Sequence, residues 1–329
     1  MHKNQKFTVS VAPMMDWTDR HCRWFHRQLS SQALLYTEMV VADAVIHGDR
    51  EYLLEYNTEE HPVALQIGGS DPQKLAQAAK VGEEFGYDEI NLNIGCPSDR
   101  VQAGRFGACL MQEPELVAAC FTAMQDAVCV PVTVKCRLGV DDQIVEGTLP
   151  EFLSIVSETG CEHFIIHARK AWLKGLSPKE NRDVPPLDYA LVRQMKADFP
   201  DLEIVLNGGL KTLEEADTAS KPLDGIMFGR AAYHDPWILT DVDARFYDGD
   251  MFNATREDII ERLIIYAENK QEGDRSTKAL IRHIMGIYAG RPGARLWRRS
   301  LSEAMASKLS PSEVIRAAYR EISAYSKAA

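Results

Sequence analysis

The feature that most constrains this chain is an alternation of strand-like and helix-like patterns that recurs eight times along its 329 residues. Apolar or β-branched runs fall at 7–14, 34–40, 62–67, 89–95, 131–137, 163–167, 203–207 and 225–228. Helical patterns at 71–85, 113–127, 149–159, 189–198 and 213–220 stand between the later runs. The first of these opens on Ser70 as an N-cap with Pro72 in its first turn, and it closes at Gly86. Regular βα alternation predicts an α/β fold with a parallel sheet, and eight units close into a (β/α)8 TIM barrel of ordinary size. A doubly wound open sheet is the competitor. No G-x-G-x-x-G follows the first strand, which counts against it.

After Gly249 the texture changes. No strand-like run follows, and 256–270, 276–288, 295–307 and 312–326 read as amphipathic helices separated by short breaks at Gly273, 290–293 and Ser310-Pro311. The expected organisation is a catalytic barrel over 1–249 and a smaller all-helical C-terminal domain over 250–329.

In a parallel barrel the catalytic groups gather where strands end, so the strand ends are where chemistry is to be sought. Ile90, Leu92 and Ile94 alternate with Asn91, Asn93 and Gly95, and Cys96-Pro97 stops the run because proline cannot continue a ladder. A thiol with an ordinary pKa near 8.5 is mostly protonated at neutral pH and can act as an acid. A buried structural cysteine is the alternative. Other strand ends carry Ala12-Pro13-Met14, Gln66, Lys135, His167 with Arg169, Asn207-Gly208-Gly209 and Gly229-Arg230. The loops after the seventh and eighth strands of such a barrel form a phosphate cradle of backbone N–H groups. Gly208, Gly209 and Gly229 allow that approach, and Arg230 adds a charged fork, although turn chemistry alone also explains glycines there.

Lys135 lies inside an apolar strand, where an unpaired ammonium is costly. A flavin mononucleotide answers these features together: phosphate on Gly208, Gly209, Gly229 and Arg230, ring edge at Gln66 and Lys135, and a reduced anionic form balanced by Lys135 and His167. A salt-bridged core lysine and a hydrogen-bonded core histidine are the alternative.

Seven cysteines without a CxxC or a Cys/His cluster argue for a reduced, cytoplasmic protein with neither disulfides nor a metal site. No 18-residue apolar run occurs, so no membrane association is expected. The net charge of -11 speaks against a polyanionic partner. Its distribution reverses that inference. Arg275, Lys278, Arg282, Arg291, Arg295, Arg298 and Arg299 occur without one acidic residue between them, and Arg169, Lys170, Lys174, Lys179 and Arg182 are diluted only by Glu180. Surfaces ordinarily intersperse both signs, so nucleic acid is the better guess over a solvated helix face.

The stretches SVAPMMDWTDR (10–20), LNIGCPSDRVQAGRFGACLM (92–111), VTVKCRLG (132–139), FIIHARKAWLKGLSPKENR (164–182), LNGG (206–209) and MFGRAAY (227–233) resemble the tRNA-dihydrouridine synthase family. The resemblance runs in order along nearly the whole chain and is nearest to the bacterial A-type enzymes, which act on uridines 20 and 20a of the D-loop. It implies reduction of the uracil C5=C6 bond, with hydride from FMN that NADPH or NADH has reduced, and a proton from Cys96. It further implies Ala12, Pro13, Met14, Gln66, Lys135 and His167 on the flavin and its ribityl chain, and Asn207, Gly208, Gly209, Gly229 and Arg230 on the phosphate. Asn93 and Arg169 would orient the uracil, and Lys179, Arg182, Arg295 and Arg298 the tRNA. No stable protein partner is expected. A flavoenzyme reducing a free pyrimidine would leave the basic helical segment unexplained, and an idle RNA-binding protein would leave Cys96, Lys135 and His167 unexplained.

Overall fold

The computed structural model describes residues 7–270, 277–305 and 307–328. Its strands are β1 (Thr8–Val11), β2 (Leu34–Tyr36), β3 (Val40–Val41), β4 (Val63–Gly68), β5 (Glu89–Asn93), β6 (Val132–Arg137), β7 (His163–His167), β8 (Glu203–Asn207) and β9 (Gly225–Phe228). Every pairing is parallel, and the order β1-β2-β4-β5-β6-β7-β8-β9 returns to β1. Eight strands therefore close into the expected barrel, with β3 a short extra strand on β4.

The expected second strand is broken in two, and Thr37 is the reason. Its N–H donates to the Ala64 carbonyl (2.9 Å), while its Oγ1 accepts the Gln66 N–H (3.1 Å) that a strand carbonyl would otherwise take. The backbone is thus released from the ladder between β2 and β3. Helices Pro72–Glu84, Pro114–Ala127, Val145–Ser157, Tyr189–Asp198 and Leu213–Ala219 alternate with the later strands. Val145–Ser157 begins a turn before the expected start, placing Pro150 inside it. The cap of Pro72–Glu84 is also corrected: Asp71, not Ser70, accepts from the Gln73 and Lys74 N–H groups (2.9 and 3.1 Å). Only the residue directly before the first helical position can reach those donors.

Two kinds of side chain fill the barrel. Ala12, Tyr36, Ala64, Ile165, Val205 and Met227 form an apolar cluster, which is the usual filling. Across β4, β5 and β6 the inward positions also include Gln66, Glu89, Asn91, Asn93, Thr133 and Lys135, the first five of them joined by hydrogen bonds between neighbouring strands. Contacts that skip a strand fix the inward direction. Tyr36 on β2 donates to Glu89 on β5, and Lys135 on β6 reaches Asn207 on β8.

The described residues divide into two compact units. One holds the residues up to Met15 together with Leu34–Gly229, and the other holds Asp16–Ala33 with the residues from Arg230 onward. The second unit therefore starts earlier than the change of texture near 250, and it takes in helix Arg20–Arg27 from between β1 and β2. Aromatic contacts inside that unit explain the helix's allegiance: Trp24 stacks on Tyr266 at 4.0 Å between ring centroids, and the His21 Nδ1 lies 2.8 Å from the Tyr266 hydroxyl. His283 meets Asp19 at 2.9 Å. Burial would raise that carboxyl, but the hydrogen bond and charge of His283 prevail and hold it at about 2. The remaining helices of the unit include Arg256–Asn269, Thr277–His283, Ala294–Met305 and Pro311–Ala328. No strand occurs after Phe228 among the described residues. Arg275, Ser276 and Gly273 lie outside them.

Asp71→Ala should destabilise the chain by about 1 kcal/mol and Ser70→Ala by close to nothing, as read from urea midpoints at constant m-value.

Candidate active site

The C-terminal ends of β1 and of β4 to β9 carry most of the residues picked out from the sequence. Asn93 closes β5, and its Oδ1 accepts the N–H groups of Gly95 and Cys96, each at 3.0 Å. This turns the chain so that Cys96 follows the strand as a half-buried free thiol, with its Sγ donating to the Ser98 hydroxyl at 3.5 Å. The Cys96 carbonyl accepts the Ala108 N–H (2.9 Å), and Gly107 makes that approach possible. Its φ is 74°, and a Cβ there would stand 2.6 Å from the Cys96 oxygen.

All seven cysteines are free, and Cys96 differs from most of them. Cys22, Cys120, Cys136 and Cys161 are buried, and burial pushes the Cys120 and Cys136 thiols up to about 12. Among the described residues no group of side chains could hold a metal ion, and no helix is long and apolar enough to cross a membrane.

Lys135 sits on β6 with its ammonium donating to Asn207 Oδ1 at 3.0 Å, and Asn207 in turn donates to the Met227 carbonyl at 2.8 Å. Burial, followed by the charge of Arg137, lowers the Lys135 ammonium to about 8. His167, the last residue of β7, is pushed well below its ordinary value by burial and then by Arg137, Lys135, Arg169 and Arg182. The rim therefore carries a neutral imidazole among cations. Such an excess of positive charge is an environment for an anionic ligand.

The glycines at the ends of β8 and β9 differ in what they require. Gly208 (φ 111°) and Gly209 (φ 74°) lie in left-handed backbone, and added Cβ atoms would stand 2.6 Å from the His167 ring and 2.4 Å from Leu187. Gly229 is open instead, the nearest atom to a Cβ there being Met14 Sδ at 4.0 Å. Its backbone can thus be approached closely by a ligand. Ala12 extends the β1 ladder by donating to the Phe228 carbonyl at 2.7 Å, and Pro13 and Met14 follow half-buried. Gln66 is buried on β4, one strand from Asn93. A phosphorylated, planar cofactor with a polar edge fits this set of donors.

The basic residues are less uniform than their spacing suggests. Arg169 donates to the carbonyls of Pro185 and Asp183, so it braces the loop after β7. Lys179 and Arg182 are exposed around the short turn Glu180–Arg182. In the helical unit Arg295 and Arg298 are exposed on Ala294–Met305, and with Arg291 and Tyr325 they line a concavity of about 500 Å³. Arg299 points to Glu303 at 3.7 Å, a counter-charge just beyond the basic run. Arg230 opens helix Arg230–His234, where the chain re-enters the second unit.

A family model described as dihydrouridine synthase (Dus) matches residues 10–323. The chain belongs to the dihydrouridine synthase family. A tRNA-dihydrouridine(20/20a) synthase of Yersinia pestis is 59% identical over 295 residues, covering 89% of this chain and 85% of that protein. The Vibrio parahaemolyticus protein of the same name is 54% identical over 315 residues (95% and 96%), and that of Shewanella oneidensis 52% over 320 residues (97% and 95%). A dihydrouridine synthase is an oxidoreductase, and saturating the uracil C5=C6 bond is chemistry that calls for a hydride donor such as a reduced flavin.

Sequence reasoning missed the residues that hold this candidate site together. Arg137 is buried and donates to the carbonyls of Gly95 (2.9 Å), Lys170 (3.3 Å) and Asn181 (3.0 Å), tying the Cys96 loop to the loop after β7. Gln102 makes a second tie, to Pro97 (2.9 Å) and Leu173 (2.7 Å). Buried Asn181 shapes the latter loop through both backbone groups of Trp172 (2.7 and 2.8 Å). One signal was available: Thr133, Lys135 and Arg137 recur at every second position of a strand otherwise apolar, as do Glu89, Asn91 and Asn93.

Because the folded state lowers the Lys135 ammonium from 10.5 to about 8, the charge costs stability below about pH 8, and the cost fades as pH rises toward 10.5. Lys135→Met should accordingly stabilise ligand-free protein at pH 7 by roughly 1 to 3 kcal/mol, with the advantage vanishing by about pH 10. Denaturant titrations of both proteins across that range check it.

Proposed function

We infer that this chain reduces uridines 20 and 20a of the tRNA D-loop to dihydrouridine, using bound FMN that NADPH or NADH recharges. What carries the reading is the convergence on one barrel rim of a half-buried thiol, a half-buried ammonium and an open glycine backbone in a member of this family. The names of the relatives support the uridine positions.

Ala12, Pro13, Met14, Gln66, Lys135 and His167 would hold the flavin ring and ribityl chain. Asn207, Gly208, Gly209, Gly229 and Arg230 would hold its phosphate. Bound flavin supplies the hydride that adds to C6 of the uracil. Addition there leaves an enolate that must gain a proton at C5 and needs its oxygen stabilised. Cys96 is the proton donor in this reading. The thiolate left behind lies in the field of Arg137 and Lys135, each of which is itself favoured by negative charge on Cys96. Asn93 has both lone-pair directions of its Oδ1 occupied and one N–H given to Gln66, so its second N–H is the group left for a uracil carbonyl. Arg169 is assigned to the same base. Lys135, positive at pH 7, would favour an anionic ligand beside it.

The target base has to leave its stack, at a cost of a few kcal/mol that is smaller in a loop than in a duplex. Exposed Lys179 and Arg182 in the first unit, and Arg295 and Arg298 in the second, would bind phosphates of the tRNA and offset that cost. The helical unit is thus assigned to tRNA binding, and the enzyme to the cytoplasm, with no stable protein partner.

Cys96→Ala should keep its yellow colour and its reduction by NADPH while losing turnover on tRNA by roughly 10²- to 10⁴-fold in single-turnover assays. Undiminished turnover would remove Cys96 from the mechanism. Arg295→Glu with Arg298→Glu should leave the flavin spectrum alone, weaken tRNA binding about tenfold or more, and flatten its salt dependence by about one unit of slope per lost phosphate contact. Unchanged affinity in filter binding would return these arginines to a solvated face.

A further inference from the structure

A single file of hydrogen bonds runs along the polar half of the barrel from one end of β5 to the thiol loop. Thr133 Oγ1 donates to Glu89 Oε1 (2.6 Å), Asn91 Nδ2 to Thr133 Oγ1 (2.7 Å) and Gln66 Nε2 to Asn91 Oδ1 (2.8 Å). Asn93 Nδ2 then donates to Gln66 Oε1 (2.7 Å), and the Gly95 and Cys96 N–H groups donate to Asn93 Oδ1. Every proton in the file points toward Glu89.

We propose that Glu89 is a positioning residue for the Cys96 loop, acting through Thr133, Asn91, Gln66 and Asn93 to fix which way the buried amides face. The inference rests on the assignment of Cys96 to proton transfer, and it deepens that assignment. A carboxamide can be turned end for end with little change of shape, so its direction is set by its neighbours. The two ends of the file are the members that cannot be reversed. Backbone N–H groups only donate, and an ionised carboxylate only accepts. Glu89 also accepts from the Tyr36 hydroxyl on β2, so two hydroxyl donors converge on one oxygen. Burial, aided by the charge of Glu203, raises its carboxyl above the ordinary value, and the bonds from Thr133 and Tyr36 and the charge of His163 offset only part of that rise.

Filling the barrel does not explain the file, because the opposite half is filled by the apolar cluster in the usual way. Buried polar groups of this kind are stabilising only when all are satisfied: reversing Asn93 would set its NH2 group against the Cys96 N–H, and reversing Gln66 would set its oxygen against Asn91 Oδ1 and its NH2 against that of Asn93. A carboxylate far from the thiol thus acts on the backbone that carries it. It touches no reacting atom.

The test reads the loop directly. Alkylation of Cys96 by iodoacetamide, followed by peptide mass spectrometry on protein without tRNA, is compared in native protein, Glu89→Gln, Thr133→Val, their double variant and Thr133→Ser. Glu89→Gln and Thr133→Val should each change the Cys96 rate about three- to tenfold, as expected for members of one network. The double variant should be no worse than Thr133→Val alone, and Thr133→Ser should match native. Turnover on tRNA should fall through kcat with KM unmoved, and flavin content should hold. Additive effects, or Cys96 rates unchanged in folded variants, would overturn the proposal. If Glu89→Gln does not fold, the contrast between Thr133→Val and Thr133→Ser decides it. A native chain that forms no dihydrouridine would defeat the functional reading but not the alkylation result, so the two failures are distinct.

Discussion

Everything at the rim depends on satisfying polar groups inside a closed barrel. An amide or hydroxyl left without a partner in such an interior costs on the order of 1 to 3 kcal/mol, and an ammonium costs more. Gln66, Asn91, Asn93, Thr133 and Glu89 meet that demand by bonding one another across β4, β5 and β6. Lys135 meets it through Asn207 on β8. Curling of the sheet favours the bonds that skip a strand, bringing Lys135 on β6 within reach of Asn207 on β8 and Tyr36 on β2 within reach of Glu89 on β5.

Two loops inherit their shape from this interior. The Cys96 loop begins on Asn93 and folds back on its own carbonyl at Ala108. The loop after β7 is shaped by Asn181, and Arg137 and Gln102 bind the two together. The thiol, the residues assigned to the base and the exposed cations Lys179 and Arg182 therefore belong to one connected framework.

Net charge and local charge tell opposite stories. The chain is acidic overall at -11, yet Arg291, Arg295 and Arg298 gather around one concavity of the helical unit. A field falls off within about 10 Å at moderate salt, so a polyanion responds to the patch it touches rather than to the sum. The overall charge then suppresses indiscriminate adhesion while the patch retains its own attraction.

By itself the sequence determined the eightfold βα plan, the helical tail and the rim residues, because strand period, helix period and strand-ending prolines are local signals. Cys96, Lys135, His167 and the glycines after β8 and β9 were legible for the same reason, each standing at the end of a strand or inside one. Only the tertiary structure decided that Asp16–Ala33 joins the helical unit, that Arg137 binds two loops, and that Glu89 connects to Asn93 through four hydrogen bonds. Those facts rest on contacts between residues far apart in the chain, such as Trp24 with Tyr266 or Gln66 with Asn91. No local pattern encodes them, since hydrogen-bond direction and ring stacking depend on which strands and helices closure brings side by side.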